Sequence, residues 1–184
     1  FKEIRKDLET LGHQFKSNSD TEVIIHAYEE WKESCLQRFN GMFAFAIWDS
    51  KNKRLFLARD RAGVKPLYYY IDKNKFIFSS EIKSILALDI PRQINTDVLY
   101  DYFNYFITIG DETLFKHIRS IPAAHYFILE NNKITARKYW DFEYITEKKS
   151  ESEWCSIIEN ELSESVRKRM ISDVPLGAFI SGGI

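Results

Sequence analysis

Apolar residues at Phe1, Ile4, Leu8 and Leu11 recur at helical spacing, and Gly12 follows where a left-handed C-terminal cap would end the helix. A second helix is predicted over about 21–31. It is opened by Ser19-Asp20-Thr21-Glu22, a capping-box pattern with Ser19 as N-cap and Glu22 reaching back. A short third helix is expected at about 34–39. From Gly41 the period changes. The nearly continuous apolar run at about 42–48 suits a strand buried on both faces, and a partner strand at about 54–59 returns after polar turn residues. Two more hairpins are predicted, at about 67–71 with 76–79 and at about 124–129 with 133–139. Helices at about 81–88 and 95–106 lie between them.

The polar stretch at about 144–152 is the best linker. Beyond it Trp154, Ile157, Ile158, Leu162, Val166 and Met170 trace one face of a long helix, and a short buried strand is expected at about 176–180. The fold class is therefore α+β to about residue 143, with a helix and a strand opening a second domain over about 153–184.

Composition sets limits on the function. At 184 residues, 45% hydrophobic and 15% aromatic, the chain can fill one domain or parts of two. A net charge of −1 supplies no field for nucleic acid or a membrane surface. No apolar run approaches the roughly 20 residues of a membrane-spanning helix. Cys35 and Cys155 lie far apart without a CxxC, which argues against a disulfide framework and fits a reducing, cytoplasmic setting. Both are expected to be small buried apolar residues. His13, His26, His117 and His125 show no ligand spacing, so no metal site is predicted. A helical pattern already under way at Phe1, and a loop reached at Ile184, make both ends read as cuts in a longer chain.

Three stretches could carry chemistry. Ser181-Gly182-Gly183 is either an ordinary turn or a loop whose backbone N–H groups cradle phosphate, since glycine has no Cβ to block the approach. It is not a GxxxxGK[ST] loop. Asp20 is either a first-turn acid that suits the helix dipole or a ligand-binding carboxylate. The run from Arg59 to Tyr69 holds two arginines and Lys65, as an anion site would. The structural reading is preferred there, with Gly63 at positive φ, Pro66 fixing a turn and Asp60 tying down the arginines. The aromatic cluster at about 100–106 is expected to be core or interface packing rather than a base-stacking platform.

Ser172-Asp173-Val174-Pro175-Leu176-Gly177-Ala178-Phe179-Ile180-Ser181-Gly182-Gly183 resembles the approach to the pyrophosphatase loop of asparagine synthetases. Phe39 to Asp49, Arg59 to Tyr69 and Phe78 to Lys83 resemble further stretches of the same family, in the same order. The resemblance covers nearly the whole chain and is very specific for class II glutamine amidotransferases, less so for asparagine as product. It implies the C-terminal part of an N-terminal-nucleophile (Ntn) hydrolase α/β/β/α sandwich, followed by the start of an α/β ATP-binding domain. The implied substrates are glutamine, aspartate and ATP with Mg²⁺, in an enzyme that forms a possible homodimer. Matching by position, Asp20 would bind the glutamine α-ammonium, and Phe179, Ser181, Gly182 and Gly183 would contact ATP. The family's nucleophile is an N-terminal cysteine that also supplies the base. It and the oxyanion-hole residues would lie upstream of Phe1, so no catalytic residue is assigned, and the chain as it stands is expected not to turn over glutamine. The alternatives are an amidotransferase for another carboxylate (a peptide, sugar acid or β-lactam precursor) or a non-catalytic binding module.

Overall fold

The computed structural model describes residues 1–172, 174–179 and 182. The chain divides into two compact units, Phe1–Phe142 and Glu143–Ile184. In the first, α1 (Lys2–Thr10), α2 (Asp20–Trp31) and the short α3 (Cys35–Arg38) precede the hairpin of β1 (Ala44–Asp49) and β2 (Arg54–Arg59). The hairpin of β3 (Tyr68–Ile71) and β4 (Phe76–Ser79) leads to α4 (Ile82–Leu86) and α5 (Leu99–Tyr105). A short β5 (Ile118–Ser120) then precedes the hairpin of β6 (His125–Glu130) and β7 (Lys133–Lys138). One sheet has the order β1-β2-β6-β7 and the other β4-β3-β5, and every pairing is antiparallel.

The side-chain alternation of the strands separates three cores. On one face of the larger sheet, Phe56, Ala58 and Tyr126 pack with Leu8, Val23, Ala27, Tyr28 and Leu36 from the first three helices. On its other face, Leu57 and Phe127 meet Leu67 and Ile121, with Tyr69 and Phe76 of the smaller sheet against them. The far face of the smaller sheet carries Tyr70 and Ile118, which pack on Ile85 of α4. The layers thus run helices, sheet, sheet, helix. Phe56, Leu57, Ile85 and Ile118 are all fully buried, and burial on this scale contributes roughly 1.5–3 kcal/mol per large apolar side chain.

The three predicted hairpins form, but the two-sided strand is β2, not β1. Phe56, Leu57 and Ala58 of β2 are buried in succession, whereas Trp48 of β1 is 59% exposed. The reason is position: β1 is an edge strand paired only with β2, while β2 sits between β1 and β6. Of the two expectations for the aromatic run at α5, core packing is not met: Tyr100, Phe103 and Phe106 are 74%, 72% and 81% exposed, which leaves the interface reading. No core of the first unit includes them.

The expected crossover after β2 is built as a knot of two neighbouring residues with opposite tasks. Asp60, 1% exposed, accepts the backbone N–H groups of Phe43 (3.2 Å), Ala62 (3.2 Å), Val64 (2.9 Å) and Lys65 (3.0 Å). Arg59 donates to the carbonyls of Gly63 (2.6 Å), Lys65 (2.8 Å) and Ile121 (2.7 Å) and to Ser120 Oγ (2.6 Å). Asp60 therefore does not tie down the arginines, as the sequence suggested; it collects main-chain donors while Arg59 collects main-chain acceptors. Gly63 has φ +65, and a Cβ there would lie 3.1 Å from Ala123 Cβ and 3.2 Å from Arg59 Cζ.

In the second unit, α6 (Glu151–Arg169) starts with a complete capping box, Ser150 with Glu153. It thus begins inside the stretch that reads as linker. Its apolar stripe is largely bare within the unit, with Ile158 62% and Leu162 64% exposed. The strand expected at 176–180 is not formed by residues 176–179, and Ile180 lies outside the described residues. A strand exists only through a ladder partner, and these residues have none among the described residues. No helix of the described residues is long and apolar enough to cross a membrane.

Candidate functional site

The entry to α2 is built from a loop clamped at both ends. Gly12, at φ +96, ends α1 in the expected manner. Ser19 caps α2 by accepting from the Thr21 N–H at 3.1 Å. Glu22 does not reach back to Ser19. Its carboxylate accepts the N–H groups of Lys16 and Ser17, both at 2.7 Å, and the Ser17 hydroxyl at 2.5 Å. These donors, the Lys16 N–H first, hold the Glu22 carboxyl down at about 2. Arg5 donates to the Ser17 carbonyl at 2.6 Å and stacks over Phe15 at 4.4 Å, fixing the same loop from α1.

Asp20 stands exposed on the first turn of this fixed entry. The polar atoms near its carboxylate are the neighbouring hydroxyls of Ser19 and Thr21, at 3.5 and 3.4 Å. Among the described residues it pairs with no basic side chain. Capping is done by Ser19 and loop anchoring by Glu22, so the Asp20 carboxylate is spare. A spare carboxylate held on a rigid helix entry can receive a cationic group such as an ammonium.

Of the four residues matched to an ATP site, the structure describes two, Phe179 and Gly182. Ser181 and Gly183 lie outside the described residues. Phe179 is fully exposed, and Gly182 has nothing within 4 Å of its Cβ position. The described residues there build no enclosure that fits a nucleotide.

The histidines depart from the sequence reading. His13, from the loop after α1, and His26, on α2, bring their Nδ1 atoms to 3.1 Å. Glu29 Oε2 lies 2.9 Å from His26 Nδ1 and 3.9 Å from His13 Nδ1. The one signal in the sequence was His26-x-x-Glu29, which sets both on one helix face; His13 joins them only through the folded loop.

The two cysteines also differ. Cys35 is fully buried, and burial, followed by the charge of Glu33, pushes its thiol up to about 12. Cys155 is exposed on α6, against the expectation that both are buried, because no described residue of its own unit covers it. Alkylation of the native protein with iodoacetamide at neutral pH is therefore expected to modify Cys155 and spare Cys35 until the chain unfolds, as peptide mass mapping would show.

Residues 1–140 match the family model described as a glutamine amidotransferase domain, and residues 158–184 match the one described as asparagine synthase. "Asparagine synthetase [glutamine-hydrolyzing] 3" of Bacillus subtilis is 39% identical over 184 residues, covering 99% of this chain and 30% of that protein. "Amidase chry2" of Gibberella zeae is 34% identical over 181 residues, covering 95% of this chain and 26% of that protein. The chain thus spans about a third or less of the length of these curated relatives. Among solved structures, the glutamine phosphoribosylpyrophosphate amidotransferase of B. subtilis superposes with a TM-score of 0.52 at 17% identity, over 76% of this chain and 26% of that one. That likeness is one of fold.

Proposed function

We propose, for a chain that belongs to the glutamine amidotransferase family, that the full-length protein is a glutamine-hydrolysing asparagine synthetase. The observation that carries this reading is the succession of two family matches in one chain, glutamine amidotransferase at 1–140 and asparagine synthase at 158–184. Glutamine is hydrolysed to glutamate and ammonia in the first domain, an N-terminal-nucleophile hydrolase in this reading. The layer order of helices, sheet, sheet and helix supports that assignment. In the second domain the aspartate side-chain carboxylate attacks the α-phosphorus of ATP, giving an aspartyl-adenylate and pyrophosphate. Ammonia then displaces AMP and leaves asparagine.

Asp20 binds the α-ammonium of glutamine in this scheme, and its lack of any other strong partner supports the role. Phe179, Ser181, Gly182 and Gly183 belong to the ATP site on sequence grounds alone, and Mg²⁺ accompanies the nucleotide. The homodimer belongs to the same reading.

A second reading has one observation in its favour. The similarity to Amidase chry2 is nearly as high as that to the synthetase, so a different carboxylate as acceptor is the alternative. One assay separates them. Full-length protein given glutamine, ATP, Mg²⁺ and aspartate is expected to release asparagine, glutamate, AMP and pyrophosphate in equal amounts. Glutamate formation with no asparagine moves the assignment to another acceptor. Neither glutamate nor AMP under any carboxylate would leave a non-catalytic binding module.

A further inference from the structure

His13, His26 and Glu29 converge in a way that the glutamine chemistry does not use. Each imidazole has a carboxylate near its outer nitrogen. His13 Nε2 lies 3.1 Å from Glu30 Oε2, and His26 Nε2 lies 3.7 Å from Glu22 Oε1. The Glu30 carboxylate bonded at His13 Nε2 favours the tautomer with the proton there, leaving His13 Nδ1 with a lone pair, while Glu22 at 3.7 Å is a charged neighbour of His26 and not a hydrogen-bond partner. The two Nδ1 atoms then face each other at 3.1 Å, with the Glu29 carboxylate oxygen beside them. Three atoms able to act as electron-pair donors thus gather within 3.9 Å of one another, an arrangement that a shared cation satisfies. A proton on either Nδ1 would satisfy only part of it, because it bonds one acceptor well.

We propose that His13 Nδ1, His26 Nδ1 and Glu29 Oε2 form a binding site for a divalent transition-metal ion of the zinc class. Ligands about 2.0–2.1 Å from a tetrahedral zinc ion sit about 3.3–3.4 Å from one another. The separations here, 2.9, 3.1 and 3.9 Å, bracket that spacing. Two imidazoles and one carboxylate suit zinc better than a hard cation such as Mg²⁺. Glu30 is the outer carboxylate that orients the His13 ring, 3.1 Å from its Nε2. Phe15 packs edge-on against His26 with ring centroids at 4.6 Å, which restricts that ring. The histidine side chains are 15% and 19% exposed and that of Glu29 57%, so water reaches the fourth position.

The site joins two elements. His13 belongs to the loop after α1, while His26 and Glu29 lie on α2. A bound ion therefore fastens that loop to the helix whose first turn carries Asp20. The role is structural, since no group of the ion's surroundings is assigned to glutamine.

The test is calorimetric titration of the full-length protein with Zn²⁺ alone, without nucleotide, followed by metal analysis after dialysis. Wild-type protein is expected to keep one equivalent that both His13→Ala and Glu29→Gln lose. Glu30→Gln should weaken binding about ten- to a hundredfold through ring orientation alone. Glu29→Gln keeps the size of an exposed side chain, so its loss of metal would not be a folding artefact. Co²⁺ in place of Zn²⁺ should give the strong visible bands of a tetrahedral site in wild-type protein only. A protein that retains no stoichiometric zinc, or variants that retain it with wild-type affinity, would overturn the proposal in favour of two histidines sharing a proton.

Discussion

Asp20→Asn in the full-length protein is expected to reduce glutamine-dependent synthesis about ten- to a hundredfold in specificity constant while ammonia-dependent synthesis stays nearly unchanged. A carboxylate facing the glutamine α-ammonium makes a charge-assisted bond of about 1.5–3 kcal/mol, and ammonia supplied from solution bypasses that bond. The local structure makes the outcome discriminating. Were Asp20 only a helix-entry acid, its removal would cost roughly 0.3–1 kcal/mol through the helix dipole, and both activities would fall together with folded protein. The entry does not lean on it: Ser19 caps the helix, and Glu22 holds the loop through three donors. Asn at this position keeps the shape and suits a helix start. The measurement is the ratio of the glutamine-dependent to the ammonia-dependent rate in variant and wild type. An unchanged ratio would return Asp20 to a purely structural role.

The hairpins were legible because their signals are local. Asp49, Asp72 and Asn131-Asn132 are turn residues between apolar-rich runs, and each run found the partner next to it in sequence. What joins the hairpins was not legible. β5 is three residues long, too short to show a period, and it is a strand only because β3 offers an edge to Ile118–Ser120. The burial of β2 rather than β1 on both faces was hidden for the same reason. Both runs are apolar, and only the pairing order β1-β2-β6-β7 puts one of them at the edge.

The candidate site divides along the same line. Asp20 and the capping role of Ser19 follow from four adjacent residues. The bond from Glu22 to Lys16 and Ser17 depends on a loop path that no spacing announces. His13 and His26 are separated by 13 residues, and their Nδ1 atoms meet only because α1 and α2 pack side by side. Cys155 shows the converse limit. Cysteine is commonly a small buried apolar residue, yet burial requires a second surface, and among the described residues of its own unit α6 has none.

Asp60→Ala is expected to be the most damaging single change in the first unit, lowering its stability by about 3–5 kcal/mol. Asp60 is fully enclosed, and its two carboxylate oxygens accept four backbone N–H groups, those of Phe43, Ala62, Val64 and Lys65. Its own backbone adds further ties: its N–H donates to the Phe43 carbonyl at 2.9 Å, and its carbonyl accepts from Gly63 and Ala124 at 3.0 and 2.9 Å. Alanine keeps the backbone ties but strands the four donors beside Arg59, which offers them no acceptor because its side chain is itself all donor. Hydrogen bonds to a charged group contribute roughly 1.5–3 kcal/mol each, and the simple sum overshoots because the turn relaxes and water enters. Such a loss is a large share of the roughly 5–15 kcal/mol by which domains are stable. Asp60→Asn should fall between wild type and alanine, since one oxygen still accepts while the amide NH₂ meets donors. Urea unfolding followed by tryptophan fluorescence ranks the three: wild type highest, then Asn, then Ala. Equal midpoints for wild type and alanine would mean that Arg59, with its four bonds to Gly63, Lys65, Ser120 and Ile121, holds the crossover alone.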